Sequence, residues 1–213
     1  MSLDCEACVL AKSHKHSYLP SFSRSNTPFS LIHSDVWGLA PIFATHNYSY
    51  YVLFVDDCTR MSWVYVLKHK SEVFFVFVTF YHMLQTQYHA KPQILRFDNG
   101  REFVNSAMQQ FMSEHGMFHQ TSCPDTHQQN GVAERKNRTL LEITRALLLE
   151  SHSLAYLWPE AIATATYLIN RLPSKPLNYK TPLATLNSFV NLPSSHSFSA
   201  RVFGCVVFVH LPK

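Results

Sequence analysis

Three carboxylates, each in a different local context, constrain this chain more than any other feature. Asp35 lies in a run where Leu31, His33, Asp35 and Trp37 alternate with Ile32, Ser34 and Val36. That is strand spacing, and it puts Asp35 on the face opposite Ile32. Asp98 ends the short apolar run Ile94-Leu95-Arg96-Phe97 and opens the turn signal Asn99-Gly100. Thirty-five residues separate Asp98 from Glu134, which begins a stretch with Leu140, Ile143 and Leu147 at helical spacing. A strand, a strand end and a helix each carrying one acid describe an α/β domain.

The remaining pattern agrees with that class. Residues 48–55 and 61–67 are β-branched and aromatic runs that predict a hairpin, with Asp56 and Asp57 as ordinary turn residues. Helical spacing predicts a helix over 71–89 with Ser71 as N-cap, and another over 103–115 closed by Gly116. Between them stands the short strand 94–97; after them come a strand at 117–120 and a loop at 121–126. Thr126-x-x-Gln129 is a capping box for the helix that carries Glu134. On that helix Glu134, Arg138 and Leu141 share a face apart from the Leu140, Ile143 and Leu147 stripe. Further helices are expected at 159–172 and 182–186, and a last strand at 202–209. His33 shares the Asp35 face and reads as a core histidine.

At 213 residues, 46% hydrophobic, the chain can bury one domain and is no disordered segment. Its net charge of +4 suits a polyanionic partner, with Arg135, Lys136, Arg138 and Arg145 clustered just after Glu134. The cysteine count of 5 is odd and no leader segment opens the chain, so a reducing, intracellular setting is expected. The apolar stretches are too short to cross a bilayer.

Asp and Glu are hard oxygen donors suited to Mg²⁺ or Mn²⁺. Two such ions about 3.5–4 Å apart can activate an attacking oxygen and stabilise a leaving one at phosphorus. Converging carboxylates repel one another, and bound cations remove that penalty. No covalent protein nucleophile is needed, because water or a DNA 3′ hydroxyl attacks directly.

Four runs make a resemblance specific: Ile32-His33-Ser34-Asp35-Val36-Trp37-Gly38, Phe54-Val55-Asp56-Asp57, Arg96-Phe97-Asp98-Asn99-Gly100, and Gln128-Gln129-Asn130-Gly131-Val132-Ala133-Glu134-Arg135-Lys136-Asn137-Arg138. Together with Tyr167-Leu168-Ile169-Asn170-Arg171 and Arg201-Val202-Phe203-Gly204-Cys205, they resemble the integrase of copia-type long-terminal-repeat retrotransposons over nearly the whole chain. The resemblance implies an RNase H-like core, a mixed five-stranded sheet flanked by helices, spanning 29–173. Residues 1–28 would be the remnant of a zinc-binding module plus linker, and 174–213 a C-terminal extension. It implies Asp35, Asp98 and Glu134 as catalytic residues and ligands of two Mg²⁺ or Mn²⁺ ions. Asn99 and Asn130 would support the loops of the site. Arg138, Lys136, Arg135 and Asn130 are assigned to nucleic-acid contact, chiefly with phosphate.

The implied activity is trimming of element DNA ends and their transfer into chromosomal DNA by a homo-oligomer in the nucleus, without a membrane. In the family, Cys5-x-x-Cys8 closes a zinc module whose histidines lie upstream. Here the pair supplies two of the four ligands a structural zinc takes, so it reads as orphaned and zinc is not expected. Arg101 replaces the glycine usual after Gly100 and Phe97 a small hydroxyl residue, both expected to crowd Asp98; His127 and Leu39 stand where proline is common. Two alternative readings stand beside this one: a catalytically inactive integrase-derived fragment that only binds nucleic acid, and an RNase H-like nuclease without joining activity. The chain as a whole reads as a fragment of a longer polyprotein or as a decaying genomic copy.

Overall fold

The alternating run at the front of the chain forms β1 (Leu31–Gly38), the middle strand of a five-stranded sheet. The structure is a computed structural model that describes residues 24–98, 100, 102–121, 130–191 and 201–206. β2 (Tyr50–Asp56) and β3 (Ser62–Leu67) make the expected antiparallel hairpin and extend the sheet from one side of β1. On the other side β4 (Ile94–Phe97) and β5 (Phe118–Thr121) add in parallel. A parallel neighbour cannot be reached by a tight turn. Accordingly α1 (Val73–Tyr88) leads into β4 and α2 (Ser106–Glu114) joins β4 to β5. The sheet is mixed, in the order β3-β2-β1-β4-β5.

Both faces of the sheet are covered, and β2 shows why its sequence is apolar almost throughout. Val52 and Phe54 enter one core with Phe77, Phe80 and Leu84 of α1 and Met108 and Met112 of α2. Tyr51, Leu53 and Val55 enter the other, against α3 (Gly131–Glu150) and α4 (Trp158–Ile169), which supply Leu140, Trp158, Ile162 and Ala165. Period-2 alternation in a strand buried on both faces disfavours polar side chains, and β2 carries a carboxylate only at its end, Asp56. The rings of Phe54 and Phe80 stack with centroids 4.4 Å apart, fixing α1 against the sheet. The short α5 (Pro182–Asn187) starts at Thr181, whose hydroxyl accepts the Ala184 N–H at 3.0 Å. It returns fully buried Leu186 to the first core, so the expected C-terminal extension is in part packed on the domain.

Two helix starts differ from expectation. Ser71 caps nothing: a single tight turn, Lys70–Glu72, precedes α1, and the Glu72 carboxylate accepts the Lys68 N–H at 2.8 Å. α2 begins three residues later than the spacing predicts because Asn105 accepts the Met108 N–H at 2.8 Å, which leaves Phe103 to pack in the core. Gly116 does follow α2 with φ +65°, a conformation without penalty for glycine. The expected last strand is not formed in its described part: residues 201–206 turn at Gly204, and Val202 and Val206 are exposed. The capping box at Thr126 and Gln129 lies outside the described residues.

Candidate active site

Strand pairing brings the first two carboxylates together. β1 and β4 run parallel with Leu31 opposite Ile94, Ile32 opposite Leu95 and His33 opposite Arg96. The same register carries Asp98, just past β4, alongside Asp35. Burial raises the Asp35 pKa above the ordinary carboxylate value, a hydrogen bond from Asn137 opposes the rise, and the Asp98 charge adds to it. That is the signature of acids sharing one site.

Glu134 sits in the first turn of α3 and lines the same cleft as Asp35, a space of about 330 Å³ shared with Asn137, Arg138 and Arg145. Two amides hold α3 to β1. The Asn130 Nδ2 donates to the Ser34 carbonyl at 2.9 Å, and the Asn137 Nδ2 donates to Asp35 Oδ2 at 2.7 Å. The Tyr51 hydroxyl donates in turn to Asn137 Oδ1, and its ring stacks on Trp37 with centroids 5.3 Å apart. Burial, then the Asp35 charge, raise the Tyr51 pKa well above the ordinary phenol value, so Tyr51 remains a donor. The relay Tyr51 to Asn137 to Asp35 fixes which way the amide faces. Sequence reasoning missed Asn137; the available signal was its position three residues after Glu134, on the same helical face.

The loop after β4 folds over its own aspartate. Gly100 N–H donates to Asp98 Oδ1 at 3.2 Å, and a Cβ there would lie 2.9 Å from the Glu102 carboxyl carbon and 3.0 Å from Asp98 Oδ1. Glu102 is a further carboxylate felt by Asp35, held by Lys70 at 3.0 Å. Phe97 does not crowd Asp98. Neighbours on a strand point to opposite faces, and Phe97 is buried against Phe103, their rings 4.6 Å apart. Among the described residues no group of three His, Cys, Asp or Glu side chains is gathered closely enough to hold a metal ion.

The basic residues divide between the two sides of α3. Arg138 and Arg145 face the acidic cleft. Arg135 and Lys136 instead line a separate cleft with Arg60, where burial and the Arg60 charge hold the Lys136 ammonium down at about 8. Asn130, grouped by sequence with the nucleic-acid contacts, is 1% exposed and works at the α3–β1 joint.

Asp56 and Asp57 are more than turn residues. Both are buried: Asp56 accepts the N–H groups of Phe29 and Thr59 and the Thr59 hydroxyl, while Asp57 accepts from Ser25, His33 and Arg60. Burial keeps His33 neutral, with Nε2 assigned as the donor to Asp57 at 3.0 Å, so His33 is a core histidine as expected. Leu39 is exposed, while Cys5, Cys8, Asn99, Arg101 and His127 lie outside the described residues. No described helix is long and apolar enough to cross a membrane.

Comparison with known proteins places this geometry. Residues 25–127 match the family described as integrase core domain. The chain is 39% identical over 209 residues to the retrovirus-related Pol polyprotein from transposon TNT 1-94 of Nicotiana tabacum, covering 98% of this chain and 15% of that protein. It is 40% identical over 206 residues to the corresponding polyprotein from transposon RE1 of Arabidopsis thaliana, covering 97% of this chain and 14% of that one. The chain therefore spans about a seventh of the relatives it matches. Among solved structures, the HTLV-2 integrase catalytic core domain in complex with magnesium aligns with TM-score 0.58 and 23% identity, over 76% of this chain and 99% of that one. A chain of the simian T-cell lymphotropic virus intasome in complex with PP2A regulatory subunit B56 gamma aligns with TM-score 0.67 and 18% identity, over 95% of this chain and 74% of that one. These two likenesses establish the RNase H-like fold.

Proposed function

Since the chain belongs to the integrase core family carried by retrovirus-related Pol polyproteins of copia-type transposons, we propose that it is the catalytic core of a DNA-joining enzyme. One observation carries the reading: Asp35, fixed by Asn137 and registered beside Asp98, lines one cleft with Glu134 and two arginines. The donor set is all carboxylate oxygen, which fits hard divalent ions. Asp35, Asp98 and Glu134 would hold two Mg²⁺ or Mn²⁺, which when bound activate the attacking oxygen and stabilise the leaving one.

The protein's own contribution is placement. Asn137 orients the Asp35 carboxylate, and Asn130 sets the height of the first turn of α3, hence of Glu134. Gly100 lets the loop close on Asp98. Arg138 and Arg145 would meet the phosphates of a DNA end, supplying affinity and orientation without sequence choice. No side chain needs to act as nucleophile. Water would serve end trimming and a 3′ hydroxyl would serve joining. Joining two ends calls for more than one copy, and such a substrate would place the protein in the nucleus.

Strand transfer with labelled donor ends in Mg²⁺ or Mn²⁺ tests the proposal. Joined products are expected, and Glu134→Gln should reduce them at least a hundredfold, the order expected for loss of a metal-centred step. Undiminished joining by that variant would show that Glu134 has another role. Cleavage without joining would identify an RNase H-like nuclease, and neither product an inactive fragment that only binds nucleic acid.

A further inference from the structure

On the side of α3 turned from the acidic cleft, Arg135 and Lys136 meet Arg60 from the β2–β3 turn around a second cleft of about 390 Å³. The end of α4 and the loop after it, including Ile169, Leu172 and Ser174, form the opposite wall. Arg24 stands at the rim, donating to the Pro176 carbonyl at 3.1 Å. Four cations thus converge. The one carboxylate shown to answer them is Asp57, already engaged by Arg60 at 2.8 Å and by His33. Arg24, Arg135 and Lys136 have no ion-pair partner among the described residues. Ser174 adds an independent sign: its Oγ is buried and has no hydrogen-bond partner among the described residues.

Like charges beside apolar walls repel more strongly than in open water, so the arrangement favours an anion that neutralises them. The donors decide which kind. A carboxylate offers about four acceptor sites in one plane, whereas the tetrahedral oxygens of a phosphate offer more in three dimensions and more charge, which better matches several guanidinium and ammonium groups and a hydroxyl. We propose that this cleft is a phosphate-binding site, separate from the acidic cleft, for the phosphate of a nucleic-acid backbone or of a small phosphorylated ligand. Lys136 and Arg60 supply the charge at its floor, and Ser174 donates its hydroxyl. The site does not depend on metal chemistry at Asp35, so either reading can fail without the other.

Calorimetric titration of the full chain with inorganic phosphate tests it, with circular dichroism to check that each variant is folded. The wild type should bind. Lys136→Gln should weaken binding about tenfold and Ser174→Ala about threefold, the scale of a charge-assisted and a neutral hydrogen bond. Arg135→Gln, at an exposed position on α3, gives a second variant with little risk to the fold, expected to weaken binding as well. A short DNA duplex is the second arm: displacement of phosphate identifies the backbone as the source, and phosphate binding undisturbed by duplex identifies a small phosphorylated ligand. No binding by the wild type, or equal binding by wild type, Lys136→Gln and Ser174→Ala, overturns the proposal.

Discussion

Asn137 shows how one amide can govern a carboxylate it never replaces. It donates to Asp35, accepts from Tyr51 and is itself buried, so Asn137→Ala strands both partners. A cost of about 1–3 kcal/mol is expected in urea unfolding, with joining activity falling as Asp35 loses its orientation. Asn137→Asp should impair activity further, since it sets another negative charge beside acids that already repel. A second residue-scale outcome concerns Asp57. Burial alone would raise its pKa, but hydrogen bonds from His33 and Ser25 and the Arg60 charge outweigh this and hold it at about 2. The folded pKa lies below the ordinary value of 3.8, so the stabilisation is complete above pH 4 and is lost as pH falls toward 2. Urea titrations at pH 5 and pH 2 should show Asp57→Asn losing about 2 kcal/mol less than wild type over that interval. Asp56, whose pKa is raised by burial, works in the opposite direction, which is why the variant comparison rather than the raw slope is decisive. The positions of Asp35 on a strand, Asp98 past a strand end and Glu134 on a helix were legible because each sits in a distinctive local run. Asn137 was not, because its role is a hydrogen bond to a residue far away in sequence. Phe97 was misjudged by ignoring the alternation that had correctly placed Asp35.

At the level of elements, α3 and α4 are tied to the sheet by side chains that imitate strand pairing. Asn170, just past α4, donates to the Ser62 carbonyl at 2.8 Å and accepts the Ser62 N–H at 3.0 Å, satisfying backbone groups on the outer strand β3. Asn170→Leu should therefore cost about 2–4 kcal/mol in thermal or urea unfolding, because two buried backbone groups lose their partners together. Amide exchange should increase most at Ser62, which locates the damage on β3. The strands and the helix–sheet order were readable from period and turn residues, since apolar alternation follows directly from which face is buried. Helix starts were less readable. The contacts actually used, Glu72 on the His69 N–H in the turn before α1 and Asn105 on the Met108 N–H, compete with neighbours of similar propensity, and the winner is settled by tertiary packing around Phe103 and Val73. The described residues 202–206 of the last apolar run resemble a strand only in composition. They have no partner strand among the described residues, and an apolar run without one gains nothing from extending.

For the whole molecule, α3 is a partition that carries different chemistry on each side. Acids with Arg138 and Arg145 occupy one cleft, while Arg60, Arg135 and Lys136 occupy the other, so basic side chains are presented in two separate fields. A mildly basic protein of this kind should bind DNA chiefly by releasing counterions from phosphate, with affinity falling as salt rises. The two fields can be told apart by counting contacts. Removing one phosphate contact lowers the slope of log affinity against log salt by about one. Arg138→Ala and Arg145→Ala should each do so in fluorescence anisotropy with duplex DNA, across different sequences alike, because backbone contacts carry no base information. Divalent ions should strengthen binding of the wild type by drawing the acidic cleft together and cancelling its repulsion, and that gain should be absent in Asp35→Asn. A salt slope unchanged by both arginine variants would mean that DNA lies elsewhere on the molecule and that the acidic cleft is not its seat.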